Sequence, residues 1–362
     1  MSASAPRLLL ARPDHLGDLL LSLPAAVWLR AAVPNVRITA LVPQALAPIA
    51  QRCPAIDATL TARFPPPETG AVPDGWRMTL AKFARMRDRF DVALLPRIDD
   101  PWSGALSAAA DIPSRIGFDH PQTRNHLTTA LVVPPHLHVT RLALLVAGAA
   151  VDGLRLSERH ITALPETPWI VPTDADHREA QAVLDADNIR GDGPLIALHP
   201  GAGWPLKSWP VERWGQLARR VEQVYRVRPL ITGGATEQAM IASIVEESAG
   251  AAVSLAASLS LGGLAALYAR ASAVIAIDSG PLHLAAAVGT PVVGIYGPAG
   301  IDEFGPWVPA ERQRVVHVRL PCSPCRTLSS PPCGALSQPA CLRAVQVEAV
   351  VTALGELLGI PS

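Results

Sequence analysis

Short apolar runs of strand character alternate with helix-spaced segments along almost the whole 362-residue chain, and few folds accommodate that rhythm. RLLLA (7–11) reads as a strand, followed by an apolar helix from about Leu19 to Ala32; VRITALV (36–42) and DVALLP (91–96) read as further strands. The second half is more regular. Strands at PLIALHPG (194–201), RPLITGG (228–234), AVSLAA (252–257), AVIAIDSG (273–280) and PVVGIYG (291–297) are separated by helices over 211–225, 237–249, 260–271 and 281–289. The expectation is an α/β protein with parallel, doubly wound sheets covered by helices on both faces. Ligands of such sheets bind beyond the carboxyl ends of the strands, so those loops are where chemistry is to be sought. Pro24 falls inside the first helix, where it is expected to kink the helix or lie near its first turn.

The length exceeds one ordinary core and predicts two domains. The segment LPETPWIVPTDAD (164–176) carries three prolines, then Thr173 as N-cap of a helix running to about Asn188, and divides the chain into 1–168 and 169–362. A cleft between the two halves is expected. FPPPETGAVPDG (64–75) is too rich in Pro and Gly for regular structure. The 31 basic and 31 acidic residues cancel without any block of like charge, which argues against a nucleic-acid partner but leaves room for a small anion. The opening MSASAPRLLLARPDHLGD lacks the layout of a signal peptide, and LALLVAGAAV (142–151) is too short to span a bilayer. A cytoplasmic protein without a transmembrane segment is expected, and peripheral contact with a membrane face stays compatible with the composition.

Three loops of the second half share Gly, small hydroxyls and a few charges. HPGAGWPLKSWP (199–210) offers backbone N–H groups around Gly201 and Gly203, then Lys207 and Ser208, a combination suited to phosphate although not a Walker A loop. In AIDSGPLHLAAAVG (276–289), Asp278, Ser279 and Gly280 close an apolar strand and Pro281 opens a helix. The N–H groups and dipole of that helix favour an anion, and His283 lies in its first turn. Simple capping by Asp278 or Ser279 is the competing explanation. ITGGATEQ (231–238) sets Glu237 after Gly233 and Gly234, where an acid can hold ribose hydroxyls or merely answer the helix dipole. Together the loops describe a nucleotide-diphosphate site. No G-x-G-x-x-G follows the first strand, which disfavours a nicotinamide dehydrogenase there.

ARPDHLGD (11–18) places Asp14, His15 and Asp18 where the first strand gives way to the first helix. Gly17 permits a tight turn, and Asp18 at the helix start is kept ionised by the dipole, as a carboxylate that takes a proton from a sugar hydroxyl must be. Capping alone explains Asp18 equally well, and Asp14 is expected to be exposed.

These motifs resemble glycosyltransferase family 9, the ADP-heptose:lipopolysaccharide heptosyltransferases. LGDLLLSLPAA, SRIGF (114–118), HVTRLALLVAGAAVD (138–152), HPGAGWPLKSWP and DSGPLHLAAAVGTPVVGIYGP carry the likeness over nearly the whole chain. The resemblance implies a GT-B fold of two Rossmann-like domains: an acceptor-binding N-terminal one and a donor-binding C-terminal one that ends in a helix. It implies inverting, metal-independent transfer from ADP-heptose to a glycolipid acceptor at the inner membrane face. Asp18 matches the family's general base, and Lys207 its phosphate lysine with Ser208 beside it. Ser279, where threonine is frequent, matches the diphosphate motif with Gly280 and His283, and Glu237 matches the ribose acid. Charge in ARPDH departs from the small polar residues common there. The alternatives are another donor or a protein acceptor, an epimerase or hydrolase, and a non-catalytic nucleotide-sugar-binding accessory.

Four of the five cysteines, Cys322, Cys325, Cys333 and Cys341, follow a C-x₂-C-x₇-C-x₇-C spacing, while Cys53 stands apart. The spacing resembles a four-thiolate structural site for zinc or iron, with free or partly oxidised thiols as the alternative. No cofactor is expected to be needed for catalysis itself.

Overall fold

The computed structural model describes residues 5–65, 74–153, 168–189 and 193–360. Residues 66–73 of the Pro/Gly-rich loop and 164–167 of the linker segment lie outside them. The chain divides into two compact units, Met1–Trp169 and Ile170–Ser362, each built on its own sheet.

In the first unit β1 (Arg7–Ala11), β2 (Arg37–Val42), β3 (Ala58–Thr61), β4 (Val92–Leu95), β5 (Ser114–Phe118) and β6 (Thr129–Leu131) form a sheet of order β3-β2-β1-β4-β5-β6. In the second, β7 (Ile196–His199), β8 (Leu230–Gly233), β9 (Val253–Ala256), β10 (Ala273–Ile277), β11 (Val292–Tyr296) and β12 (Gln313–His317) take the order β12-β11-β10-β7-β8-β9. Every pairing is parallel. All of β10 and β11 is buried, as their unbroken apolar sequences require when helices cover both faces of a sheet. Each strand expected from the sequence is present, and β3, β5, β6 and β12 are additional. Thr173 caps the helix Asp174–Ala186 through a reciprocal box with Asp176.

Each sheet reverses direction once. The chain builds outward from β1 to β3 and then returns to lay β4 on the other side of β1. It builds outward from β7 to β9 and returns to lay β10 beside β7. At those two junctions neighbouring strands send their following loops apart, which opens a crevice at the carboxyl end of the sheet.

The first helix spans Leu16–Ala32, beginning earlier than the sequence suggested, and Pro24 sits buried inside it. Proline has no N–H, so the carbonyl of Leu20, one turn back, loses its helical donor. Trp169 supplies the replacement: its buried indole Nε1–H donates to Leu20 O at 3.1 Å. Trp169→Phe removes that donor and leaves a buried carbonyl unpaired, at an expected cost of about 1–3 kcal/mol in urea denaturation. In a Pro24→Ala background the helix regains its own bond, and the same Trp169→Phe change is then expected to cost clearly less. Equal costs in the two backgrounds would show that Trp169 acts only by packing.

Candidate active site

The three candidate loops of the second unit leave β8, β7 and β10, which are adjacent in the sheet. After β7 the chain passes Gly201 and Gly203 into a single 3-10 turn at Pro205–Lys207. Buried Leu206 and Trp209 flank Lys207 and Ser208, and Trp209 meets Trp214 edge-on at 5.1 Å, so the loop is pinned into the core on both sides. Lys207 is thereby held at the β7–β10 junction, where its Nζ lies 2.6 Å from Asp278 Oδ2.

Asp278 follows β10 and is buried. Burial opposes its charge, but Lys207 and His283 together outweigh that and hold its carboxyl below the usual carboxylate range. Ser279 is the N-cap of the helix Gly280–Ala287 with an extended backbone, yet its hydroxyl makes no cap bond. Capping therefore does not account for Ser279. Its Oγ and the Nδ1 of His283 are buried polar atoms without a hydrogen-bond partner. His283 Nε2 lies 3.8 Å from Asp278 Oδ1. A buried hydroxyl and a buried ring nitrogen left unpaired at a helix N-terminus provide bonding capacity for an anionic ligand.

Glu237 ends the 3-10 turn Ala235–Glu237 and accepts from Gly234 N–H at 2.7 Å, so it does serve the local backbone. The carboxylate also crosses to the β7 loop. A Cβ added at Gly201 would stand 1.5 Å from Glu237 Oε1, so glycine is what admits the acid there, while one added at Gly203 would meet nothing within 4 Å. Sequence reasoning missed the support beneath Glu237. His199, the last residue of β7, is buried with its Nε2 3.8 Å from Glu237 Oε2. Its Nδ1 lies 3.0 Å from Thr232 Oγ1 and 3.2 Å from Tyr268 Oη, while those two oxygens are 2.8 Å apart. Burial pushes the imidazole down to about 3, so it is neutral at ordinary pH.

The acidic cluster of the first unit lies at the β1–β4 junction. His15 takes the N-cap position with no side-chain cap bond, Gly17 is helical rather than a turn, and Asp18 lies in the first helical turn. Asp18 Oδ1 accepts from Arg12 Nη2 at 3.0 Å, and His15 Nδ1 lies 3.6 Å from Asp18 Oδ2. Asp14 is not exposed as expected: its side chain is 6% accessible, because Arg12 Nε lies 2.8 Å from its Oδ1. Arg97, which follows β4, reaches Asp14 Oδ2 at 3.5 Å and donates to Asp99 Oδ1 at 2.8 Å. Burial opposes the Arg12 charge, but Asp14 and Asp18 keep the guanidinium protonated. Arg12 lies inside the ARPDHLGD stretch without having been singled out, and Arg97 belongs to no recognisable loop signature.

The four-thiolate grouping expected of the cysteine segment is not seen among the described residues. Among the described residues no group of three or more His, Cys, Asp or Glu is placed to hold a metal ion. Cys333 is exposed on its loop, whereas Cys341 is buried in the short helix Ala340–Ala344. Cys53 is buried in the other unit, with its thiol pushed up to about 11. Among the described residues no helix is long and apolar enough to cross a membrane.

A family model described as glycosyltransferase family 9 (heptosyltransferase) matches residues 83–332. The chain belongs to glycosyltransferase family 9. It is therefore a glycosyltransferase, and its two doubly wound sheets are those of the GT-B fold. This family 9 chain is similar to lipopolysaccharide heptosyltransferase 2 of Salmonella typhimurium, 26% identical over 304 residues that cover 82% of this chain and 84% of that protein. Among solved structures, a glycosyl transferase family 9 protein from Veillonella parvula superposes with a TM-score of 0.79 at 21% identity, over 99% of this chain and 98% of that one. The E. coli ADP-heptose lipopolysaccharide heptosyltransferase II does so at 0.74 and 20% identity, over 97% and 98%.

Neutral His199 has a measurable consequence for stability. The unfolded chain takes up a proton on this group near pH 6.5 and the folded chain does not until about pH 3, so stability is lost as pH falls from about 6.5. Between pH 7 and pH 5 this single group is expected to remove about 2 kcal/mol. His199→Gln abolishes that contribution, so its urea-unfolding free energy should fall less over the interval than that of the unmodified chain. Identical pH profiles would mean that His199 is already protonated when folded.

Proposed function

We propose that this glycosyltransferase transfers heptose from ADP-heptose to a lipopolysaccharide inner-core acceptor, with inversion at the anomeric carbon. The carrying observation is the convergence of Lys207, the unpaired Ser279 hydroxyl and the unpaired His283 nitrogen at one strand junction. That grouping suits a diphosphate. The names of the similar proteins, which include lipopolysaccharide and ADP-heptose, support the choice of donor and acceptor.

In this reading the C-terminal unit binds the donor and the N-terminal unit the acceptor. Lys207 places its charge on the diphosphate, with Ser208 beside it, and the N–H groups around Gly201, Gly203 and Gly280 complete the cradle. Ser279 and His283 add bonds to the phosphate oxygens, Asp278 holds Lys207 in place, and Glu237 receives the ribose hydroxyls. Asp18 takes the proton from the acceptor hydroxyl as that oxygen forms its bond to the anomeric carbon. The bond from that carbon to the diphosphate breaks on the opposite side, and its electron pair leaves with ADP. Charge developing on the leaving diphosphate falls to Lys207, the helix N-terminus and His283, so the step needs no bound metal. No step is routed through the cysteines. A glycolipid acceptor implies work at the inner face of a membrane by a peripherally bound enzyme.

Two substitutions separate the roles. Asp18→Asn should lower turnover by about 10²–10⁴-fold while calorimetry shows donor affinity little changed. Lys207→Ala should weaken donor binding by about 10–100-fold, the worth of a charge-assisted contact. Near-normal turnover of Asp18→Asn refutes the base, and unchanged affinity of Lys207→Ala refutes the phosphate contact. Products are assayed with and without acceptor: consumption of ADP-heptose that ignores the acceptor would identify an epimerase or hydrolase instead.

A further inference from the structure

Asp14 has no task in the reaction just described, yet the fold buries it at the strand junction between two arginines. A carboxylate left there without a use would be costly, because burial disfavours its charge. Its contacts say what it does. Arg12 presents a planar fork of donors, which closes most strongly on one carboxylate when two parallel N–H groups face it. Here Nη2 donates to Asp18 Oδ1 at 3.0 Å, while Nε lies 2.8 Å from Asp14 Oδ1 as an ion-pair contact without hydrogen-bond geometry.

We infer that Asp14 is a positioning residue for the base: by occupying the Nε edge of Arg12, it limits Arg12 to a single-nitrogen contact with Asp18 and preserves the basicity of that carboxylate. The inference rests on Asp18 being the base. A guanidinium closed on Asp18 through two bonds would stabilise its ionised form and make it a poorer proton acceptor. Asp14 prevents this by geometry and by partly neutralising Arg12.

The surrounding charges are consistent with such a balance. From the helix Leu16–Ala32 come Asp18 and His15, and from the end of β1 comes Arg12. From beyond β4 come Arg97 and Asp99, while Asp100 is spent on capping the helix Pro101–Ala109 through Trp102 and Ser103 N–H. Arg97 is itself tied to Asp99, so it does not replace Arg12 as the partner of Asp18. Burial pushes the Asp14 carboxyl up to about 6, against Arg12, with Asp18 adding to the rise.

The test is the pH profile of kcat/KM for the full chain with saturating acceptor. Asp14→Asn should move the acid limb down by about one pH unit and lower the plateau, because Arg12 then closes on Asp18. Donor affinity should stay unchanged. Adding Arg12→Lys to Asp14→Asn removes the fork and should bring the limb back up, and Asp14→Glu should retain the original limb. A role confined to structure would lower the melting temperature of Asp14→Asn and leave its acid limb in place, which overturns the inference. Should Asp14→Asn not fold, Arg12→Lys alone decides, since loss of the Nη2 contact should raise the limb, and an unmoved limb again overturns the inference. An active Asp18→Asn would remove the base and this inference together. An inactive Asp18→Asn with an unmoved limb in Asp14→Asn removes the inference alone.

Discussion

Both units keep a cation at the carboxyl end of a parallel sheet, and that is possible only because each cation is matched by a buried aspartate. In the second unit the pair is Lys207 with Asp278 at 2.6 Å, and in the first it is Arg12 with Asp14 at 2.8 Å. An unpaired ion in such surroundings would lose several kcal/mol of hydration, and the group would neutralise or the loop would rearrange. Pairing does not make these sites stabilising. It makes them tolerable, and it fixes where the positive charge points.

The placement follows from topology. The order of strands reverses at β1–β4 and at β7–β10, and each pair lies at one of those junctions: Lys207 and Asp278 arrive from the loops after neighbouring β7 and β10, whereas Arg12 and Asp14 share the loop after β1. The fold thus brings together charges that are far apart in sequence: Lys207 and Asp278, or Arg12 and Arg97. The two pairs differ in their cation. Lysine is a compact charge that can turn toward a phosphate while its carboxylate partner stays ionised. Arginine is a rigid fork that can face two carboxylates at once: Arg12 donates to Asp18 and lies in ion-pair contact with Asp14.

Much of this could be read along the chain. Central strands such as β10 and β11 are continuous apolar runs and are plain in the sequence. The strands that escaped notice are mostly at sheet edges: β3, β6 and β12 are short or half-exposed, so their residues carry little apolar bias. Loops bearing Lys207, Glu237 and Asp278 were legible because glycine and charge at strand ends form local patterns. What lay hidden was partnership. Asp14 looks like a surface residue until the arginine that buries it is placed beside it, and His199 looks like one more loop residue until Thr232 and Tyr268 close around it. The cysteine spacing likewise says nothing of partnership. Regular intervals suggest shared coordination, but Cys333 on an exposed loop and Cys341 in a buried helix occupy unlike surroundings.

Glu237 shows how structural and chemical demands coexist in one side chain. Its bond to Gly234 N–H is an ordinary helix-start contact, and taken alone it would end the search for a function. The same carboxylate lies so close against Gly201 that a larger residue there would displace it, and it faces the neutral imidazole of His199. A protonated His199 would bind that carboxylate as an ion pair and compete for any hydroxyl presented to it. Burial of His199 removes the competing charge, and its bonds to Thr232 and Tyr268 fix the ring. The helix-start bond then fixes the carboxylate without consuming its remaining lone pairs, which are the part of Glu237 that a polyhydroxylated ligand can use.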